Sequence, residues 1–217
     1  MVKSIIKKTN STFLYFSYGS NLSRLKIGFY NLKVDFISIA RLDNYRLDFN
    51  GYSKFWGGPT ATIVPTANAH VWGVVWRIDT NELQILEEQE DVDIENYYVK
   101  YVEVLTSYIG ILTCRTYIQK VNLLPRSDND NLPVERWPSL TYRNVIIFGA
   151  IEHHLPEYYI ESLKKLKDNG EEGSFKMAYL LKLFTKNDAC KCRLPRKCLP
   201  KKILNLRNMR YRMKSTE

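Results

Sequence analysis

Strand-like runs of apolar and aromatic residues fill the first 120 positions of the chain, and apolar residues at helical spacing fill most of the rest. The runs predict strands near residues 13–18, 33–50, 60–64, 71–78, 97–105 and 108–118. The spacing predicts helices near residues 80–89, 138–153, 156–167 and 173–185. Because most strands precede the helices instead of alternating with them, the order indicates an α+β fold with a β-barrel or a strongly curved sheet.

Turn signals separate the predicted elements. Asn50-Gly51 is typical of a hairpin turn, and residues 55–59 are predicted to form the loop that leads to the next strand. Residues 121–137 are rich in Pro, Asp and Asn, which indicates a long surface loop. Gly73 lies inside an apolar run, where a glycine indicates that another backbone or a ligand approaches closely.

The segment from Phe13 to Leu22 combines a strand, a tight turn and the start of a helix. Its turn residues, Gly19-Ser20-Asn21, tolerate unusual backbone angles. This geometry points several backbone N–H groups at one spot, where a carboxylate, a phosphate or a carbonyl oxygen that gains negative charge can bind. The same residues also fit an ordinary strand–helix turn in which Ser20 or Asn21 caps the helix.

Acidic and amide side chains crowd the chain after Leu86. Glu87, Glu88 and Asp93 fit a solvated helix end. Glu90 instead follows Leu86 by four positions, so it lies on the apolar face of the predicted helix. Burial and neighbouring carboxylates raise the pKa of such a group toward neutrality, which suits general acid–base catalysis.

The formal net charge of +9 belongs to one part of the chain. Residues 186–217 carry 11 of the 32 Lys and Arg residues and 2 of the 23 acidic residues, so residues 1–185 balance at 21 of each. The sequence predicts a neutral domain over residues 12–185 and a basic tail over residues 186–217. This distribution does not support a nucleic-acid surface that covers the whole protein. The tail is expected to be a solvated, partly disordered extension, or alternatively to contact nucleic acid or an anionic membrane surface.

Targeting signals and metal-ligand patterns are weak. No run of about 18 apolar residues predicts a transmembrane helix, and the N-terminus has no secretory signal pattern, so we expect a cytoplasmic protein. The four cysteines are then expected to be thiols. Cys190, Cys192 and Cys198 lack the spacing of a structural zinc site and have no nearby histidine, so no metal is expected.

Ordered blocks along the chain closely resemble the gamma-glutamylcyclotransferase family. The blocks are residues 18–22, 56–63, 71–76, 86–90 and 114–117, followed by Tyr142 and residues 146–150. The resemblance implies a small mixed β-barrel flanked by helices. It also implies an enzyme that converts L-gamma-glutamyl amino acids to 5-oxo-L-proline and the free amino acid, needs no cofactor, and forms a homodimer.

The resemblance further implies which residues form the site. The loop expected to bind the gamma-glutamyl group consists of Tyr15, Phe16, Ser17, Tyr18, Gly19 and Ser20. Tyr142 is expected to contact the substrate, and Tyr117 matches a second family tyrosine near the pocket. Glu90 matches the catalytic carboxylate, which takes a proton from the α-amine of the substrate and returns one to the leaving amine. Ser20 is expected to bind substrate without acting as a nucleophile, because no G-x-S-x-G elbow surrounds it.

The chain departs from the family pattern near the expected base. Asp91 and Glu95 stand where the family usually has Gly, and the Gly pair after Trp56 lies one position early. Two alternatives stay open: a gamma-glutamylamine cyclotransferase, and a non-catalytic binding module that acts through the basic tail. Retention of Glu90 and of the turn at residues 18–21 favours the enzyme.

Overall fold

The computed structural model describes residues 11–29, 32–89, 97–121, 123 and 131–186 of the chain. Strands span Thr12–Ser17 (β1), Val34–Ser53 (β2), Gly58–Asp79 (β3), Tyr97–Thr106 (β4) and Ile111–Gln119 (β5). α-Helices span Arg24–Phe29 (α1), Leu83–Gln89 (α2), Leu140–Glu152 (α3), Glu157–Lys164 (α4) and Phe175–Lys186 (α5). Short 3₁₀ turns cover Ser20–Leu22, Thr80–Glu82 and Val134–Arg136.

The strands close into a barrel in the order β1-β3-β2-β4-β5. Antiparallel pairing joins β1 to β3, β3 to β2, β2 to β4 and β4 to β5. Parallel pairing of β1 with β5, at Tyr15 opposite Arg115, completes the ring. The fold is therefore the predicted α+β class, a small mixed barrel with flanking helices. Because β1 is paired on both sides, the turn that follows it is held against the end of the barrel.

The β2–β3 pair is one long hairpin, which corrects two predictions. The strands predicted separately at residues 60–64 and 71–78 are parts of β3, which has 22 residues. The chain turns at residues 54–57, and Asn50-Gly51 lies within the paired region instead of forming the turn. The pairing shifts register between Asn50 and Ser53, where Gly51 has a φ of 68°. A bulge of this kind absorbs extra residues without ending the pairing.

Two asparagines explain why the hairpin bends in its middle and still continues. Asn44 and Asn68 have positive φ angles of 60° and 64°, and the N–H of Asn68 donates to Oδ1 of Asn44 at 3.3 Å. The register shifts beside them, between Asp43 and Tyr45. Asparagine tolerates the left-handed conformation better than most side chains, so a polar sequence that resembles a turn produces a bend here.

α3, α4 and α5 confirm the helices predicted in the second half of the chain, within a few residues at each end. Ser139 caps α3, since its Oγ accepts a hydrogen bond from the N–H of Tyr142 at 3.2 Å. α3 packs against the Ser20–Leu22 turn, which brings the helical half of the chain to the end of β1. In the described part of the chain, every helix is too short or too polar to cross a membrane. The domain boundary at residue 186 stays a prediction, because residues 187–217 lie outside the described ranges.

Candidate active site

A pocket opens at the end of the barrel where β1 leaves the sheet. It encloses ≈ 470 Å³, counting its open mouth. The described residues that line it are Tyr15, Tyr18, Gly19, Ser20, Asn21, Lys26, Trp56, Thr60, Ala61, Tyr97, Tyr117 and Tyr142. The structure thus brings most of the residues predicted to bind substrate, including Tyr142 from the distant helix α3, to one pocket. Phe16 and Ser17 are the predicted residues that it does not bring there.

Phe16 and Ser17 lie in the core directly beneath the pocket loop. Phe16 is fully buried. A Cβ added to Gly73 would clash with the backbone carbonyl oxygen of Ser17 and lie 2.5 Å from the Phe16 ring, so the close backbone approach predicted at Gly73 is confirmed. The Ser17 hydroxyl donates to the carbonyl of Val74 at 3.3 Å and accepts from Nε1 of Trp76 at 3.0 Å. These two side chains therefore fix β1 against β3 and leave the pocket to their neighbours.

The turn after β1 lines the pocket with backbone groups. The N–H of Leu22 donates to the carbonyl of Gly19 at 3.0 Å, and that of Ser23 donates to the carbonyl of Ser20 at 3.1 Å. The N–H of Ser20 comes first in this turn and so has no acceptor within it. A Cβ on Gly19 would lie 3.2 Å from the Tyr142 hydroxyl, so glycine keeps the turn close to α3 without a clash.

The cap of α1 differs from the prediction. Ser23, rather than Ser20 or Asn21, is the residue whose side chain caps this helix: its Oγ accepts from the N–H of Leu25 at 3.1 Å. Ser20 and Asn21 belong to the 3₁₀ turn, and both are buried at the pocket. Capping by Ser23 leaves the Ser20 hydroxyl and the Asn21 amide at the pocket itself.

Aromatic rings form the sides of the pocket in two groups. Tyr15 and Tyr117 meet edge to face, with their centroids 5.9 Å apart, and the Tyr18 hydroxyl donates to the carbonyl of Tyr117. Trp56 and Tyr142 meet edge to face at 4.7 Å, and the Tyr142 hydroxyl accepts from a backbone N–H of β3 at 2.9 Å. Paired aromatic rings of this kind hold each other in fixed orientations, so the pocket is largely preformed.

The side chain of Glu87 is 37% exposed, which agrees with the solvated helix end predicted for it, and its carboxylate also contacts β5. Its carboxylate pairs with the Arg115 guanidinium at 2.5 Å and accepts from the Tyr117 hydroxyl at 3.4 Å. Nε of Arg115 also donates to that hydroxyl at 3.2 Å. This cluster ties the end of α2 to β5 beside a residue that lines the pocket.

The expected base, Glu90, lies outside the described residues, as do Asp91 and Glu95. The helix that leads to it is described as far as its last residue, Gln89. Leu86 is fully buried, which confirms the apolar face on which the position of Glu90 was predicted. The role of Glu90 stays a prediction.

Lys26 is a pocket residue that the sequence interpretation missed. It is 2% exposed, and its ammonium lies 5.9 Å from the centroid of the Trp56 ring. It is the one basic residue in the set that lines the pocket within the described part of the chain. Its spacing along the sequence carries no signal that separates it from a lysine on a solvated helix face.

Cys114 cannot supply a nucleophile under ordinary conditions. Burial in β5 raises the pKa of its thiol to about 12, so the thiol stays protonated. Cys190, Cys192 and Cys198 lie outside the described residues. Among the described residues, His, Cys, Asp and Glu side chains form no group of three or more that is placed to hold a metal ion. The described side chains that line the pocket carry hydroxyls, an amide, an indole N–H and the Lys26 ammonium.

Known proteins are similar to this chain in sequence and in architecture. Residues 70–163 match the AIG2-like family. The gamma-glutamylcyclotransferase of Mus musculus is 37% identical over 166 residues, which cover 75% of this chain and 82% of the mouse protein. The Homo sapiens protein of the same name is 35% identical over 175 residues, which cover 79% of this chain and 87% of the human protein. A solved structure of a gamma-glutamyl cyclotransferase matches with a TM-score of 0.70 at 35% identity, over 80% of this chain and 99% of that one. The chain belongs to the gamma-glutamylcyclotransferase family.

Proposed function

We propose that this protein is a gamma-glutamylcyclotransferase, which converts L-gamma-glutamyl amino acids to 5-oxo-L-proline and the free amino acid. The observation that carries the proposal is the turn at residues 18–21, which lines one pocket together with Tyr142. The identity of 37% to a protein of that name supports the same reaction.

The reaction is an intramolecular acyl transfer. The α-amine of the substrate attacks its own γ-carbonyl carbon, a five-membered ring closes, and the bond to the leaving amine breaks. Because the α-amine is mostly protonated at neutral pH, a base must first remove a proton, and we assign this step to Glu90. The protonated Glu90 then gives that proton to the leaving nitrogen, so the carboxylate is regenerated after each turnover. The ring nitrogen loses a second proton as the lactam forms, and the released amine takes it up and departs as an ammonium ion. No covalent enzyme intermediate forms.

Backbone N–H groups of the turn at Gly19 and Ser20 stabilise the oxyanion that develops on the γ-carbonyl. Each donor of this kind contributes on the order of 3–4 kcal/mol to a reaction of this class. The rings of Tyr15, Trp56 and Tyr142 confine the substrate, so its amine and carbonyl meet more often than in free solution. Lys26 supplies positive charge to a pocket whose substrate carries two carboxylates.

The test is release of 5-oxoproline from L-gamma-glutamyl-L-alanine by the full-length protein and by Glu90→Gln. Glutamine keeps the size of the side chain and cannot take the proton, so kcat is expected to fall by about 10²-fold or more. Glu161→Gln is a matched control, since Glu161 lies on α4, its side chain is 49% exposed, and it pairs with nearby Lys164. It is expected to turn over at the wild-type rate. Equal rates for wild type and Glu90→Gln would contradict the assigned base, and no release by the wild type would contradict the proposed reaction.

We also propose that the enzyme is cytoplasmic and homodimeric, and that its basic tail contacts anionic surfaces. The family resemblance supports the dimer, and the charge of residues 186–217 supports the tail contact. Sedimentation of the purified protein tests the dimer.

The contact of the tail with anionic surfaces is tested by deletion of residues 187–217. The deletion should abolish retention on an anionic resin at low salt and leave turnover of the dipeptide unchanged. Retention that survives the deletion would contradict the assignment to the tail.

A further inference from the structure

The N-terminus of α1 is fastened by a residue from the far end of α3. Oε2 of Glu152 accepts a hydrogen bond from the backbone N–H of Arg24 at 3.0 Å, and Oε1 lies 4.0 Å from Nε of the same arginine. Arg24 is the first residue of α1 and follows the pocket turn by two positions. A side chain 128 positions away in sequence therefore holds the segment that carries the pocket backbone.

The acceptors of the first four backbone N–H groups of α1 show why Glu152 is needed. The N–H of Leu25 bonds to the hydroxyl of Ser23, and the N–H groups of Lys26 and Ile27 both bond to the carbonyl of Ser23. Ser23 therefore satisfies three of the four N–H groups that begin the helix. The fourth, that of Arg24, is taken by Glu152.

α3 contacts the same segment at three levels along its length. Near its start, the Tyr142 hydroxyl is 3.2 Å from where a Cβ of Gly19 would lie. About two helical turns further along, Gly149 is so close to this segment that a Cβ on it would lie 2.5 Å from the backbone nitrogen of Ser23. At its end, Glu152 bonds to Arg24. α3 thus follows the turn from its first residue to the helix that it leads into.

The barrel holds the Arg24 side chain on the other side. Its guanidinium carbon lies 5.6 Å from the Phe36 ring centroid and 5.7 Å from that of Trp76. The indole N–H of Trp76 in turn donates to the carbonyl of Asn21 at 3.1 Å, within the pocket turn itself. Glu152 and Trp76 therefore grip the turn and its following helix from two elements, α3 and β3.

We propose that Glu152 is a positioning residue for catalysis, whose carboxyl oxygen fixes the N–H of Arg24 and thereby sets the backbone N–H groups of the Gly19-Ser20 turn for the oxyanion. The proposal rests on the proposed function, because the turn is the oxyanion site only in that reaction. Glu152 does not line the pocket, so it acts through the turn and not on the substrate.

Two substitutions of Glu152 separate its acceptor atom from its bulk and charge. Glu152→Ala removes the acceptor, and we expect kcat for L-gamma-glutamyl-L-alanine to fall by about 10- to 100-fold with a smaller change in KM, since misplaced donors act mainly in the transition state. Glu152→Gln keeps a carbonyl oxygen at the same place, so its kcat is expected to stay within about 3-fold of wild type. A neutral acceptor keeps most of the strength of the hydrogen bond to the Arg24 N–H. Arg24→Ala keeps the N–H and removes the guanidinium, so it is expected to resemble Glu152→Gln.

Amide hydrogen exchange tests whether Glu152 fixes the turn, and it needs no substrate. In Glu152→Ala the amides of residues 20–25 are expected to exchange at least about 10-fold faster, while those of β4 and β5 stay unchanged. Measurements well below the melting temperature of each variant keep global unfolding out of the comparison. No turnover by the wild type would remove the proposed function, and the exchange rates would still decide whether Glu152 fixes the turn. The inference would be overturned if Glu152→Ala kept the wild-type kcat and the wild-type exchange rates. It would also be overturned if Glu152→Gln or Arg24→Ala lost as much kcat as Glu152→Ala.

Discussion

Lys26 places an ammonium group inside the pocket. The side chain is 2% exposed, and burial removes most of the water that would otherwise solvate its charge. The substrate brings a carboxylate on its gamma-glutamyl end and another on its leaving amino acid. A salt bridge between one of these carboxylates and Lys26 would stabilise bound substrate.

Lys26→Met is therefore expected to raise KM for L-gamma-glutamyl-L-alanine by about 10-fold or more, with kcat changed less, because a charge-assisted bond contributes roughly 1.5–3 kcal/mol. Steady-state kinetics measure this. Two further substrates identify the carboxylate: 4-aminobutyryl-alanine lacks the first, and gamma-glutamyl-ethylamine lacks the second. The substitution should leave KM unchanged for whichever substrate lacks the partner. Lys164→Met, at an exposed lysine of α4, is the control, and an unchanged KM for all three substrates in Lys26→Met would refute the role.

At this scale the sequence predicted the chemistry of the pocket better than its supporting contacts. Tyr15, Tyr18 and Tyr142 lie at the pocket as the family resemblance implied. Lys26 was missed because helical spacing cannot distinguish a lysine that turns toward a pocket from one that lies on a solvated face. Glu152 was missed because its partner is 128 positions away, and no local pattern reports a contact at that separation.

Among the elements, α3 depends on a glycine that a helix would normally disfavour. Gly149 lies in its interior, where Gly→Ala usually stabilises a helix by up to about 1 kcal/mol. Here a Cβ would lie 2.5 Å from the nitrogen of Ser23 and 2.7 Å from the carbonyl carbon of Leu22. Neither backbone atom can move without displacing the pocket turn.

Gly149→Ala is expected to lower the free energy of unfolding by about 2 kcal/mol, the reverse of the usual helical effect, because the added methyl overpacks the contact. Urea denaturation measures the change. Ile151→Ala, at a side chain of the same helix that is 47% exposed, is expected to change stability by no more than about 0.5 kcal/mol. If Gly149→Ala instead stabilised the protein, α3 and the turn would be less tightly packed than the distances at Gly149 indicate.

The order and type of the elements followed from the sequence, and the β2–β3 hairpin did not. Periodicity reports local conformation, so it divided β3 into two strands at the polar residues around Asn68. A positive φ at Asn68 and at Asn44 lets both strands bend together, which depends on the facing strand and not on either segment alone. Asn50-Gly51 was mistaken for the turn for the same reason, since its bulge needs β3 opposite.

For the molecule as a whole, Glu152 and His153 make stability depend on pH in opposite directions. Burial raises the pKa of Glu152 from its ordinary value of 4.5 to about 7, although the N–H and charge of Arg24 lower it. Burial, with help from the charges of Arg24 and His154, lowers the pKa of His153 from 6.5 to about 4. The native protein thus holds an extra proton on Glu152 between pH 4.5 and 7, and lacks one on His153 between pH 4 and 6.5.

These effects oppose each other where the two windows overlap, from pH 4.5 to 6.5. The Glu152 contribution is complete below pH 4.5 and is lost as pH rises toward 7, whereas the His153 contribution is absent below pH 4 and grows toward 6.5. Glu152→Gln removes the contribution to the free energy of unfolding that falls as pH rises. Relative to wild type, its free energy of unfolding should therefore rise between pH 4.5 and 6.5 by up to about 3 kcal/mol.

Urea denaturation of both proteins at the two pH values measures this difference, because titrating groups away from residue 152 contribute equally to each. His153→Phe, which keeps a ring to stack on Phe36, should shift in the opposite direction over the same range. Parallel pH profiles for wild type and Glu152→Gln would show that Glu152 titrates at its ordinary pKa.

The parallel pairing of β1 with β5 also sets the order in which the molecule can fold. Tyr15 and Arg115 are about 100 positions apart, so this contact closes a long loop and forms more slowly than the hairpins β2–β3 and β4–β5. β1 carries the pocket turn at its end. A chain with both hairpins in place and β1 still undocked has no pocket, whatever the state of its helices. Substrate then binds only the closed barrel, and by mass action it favours the closed barrel over any state in which β1 is undocked.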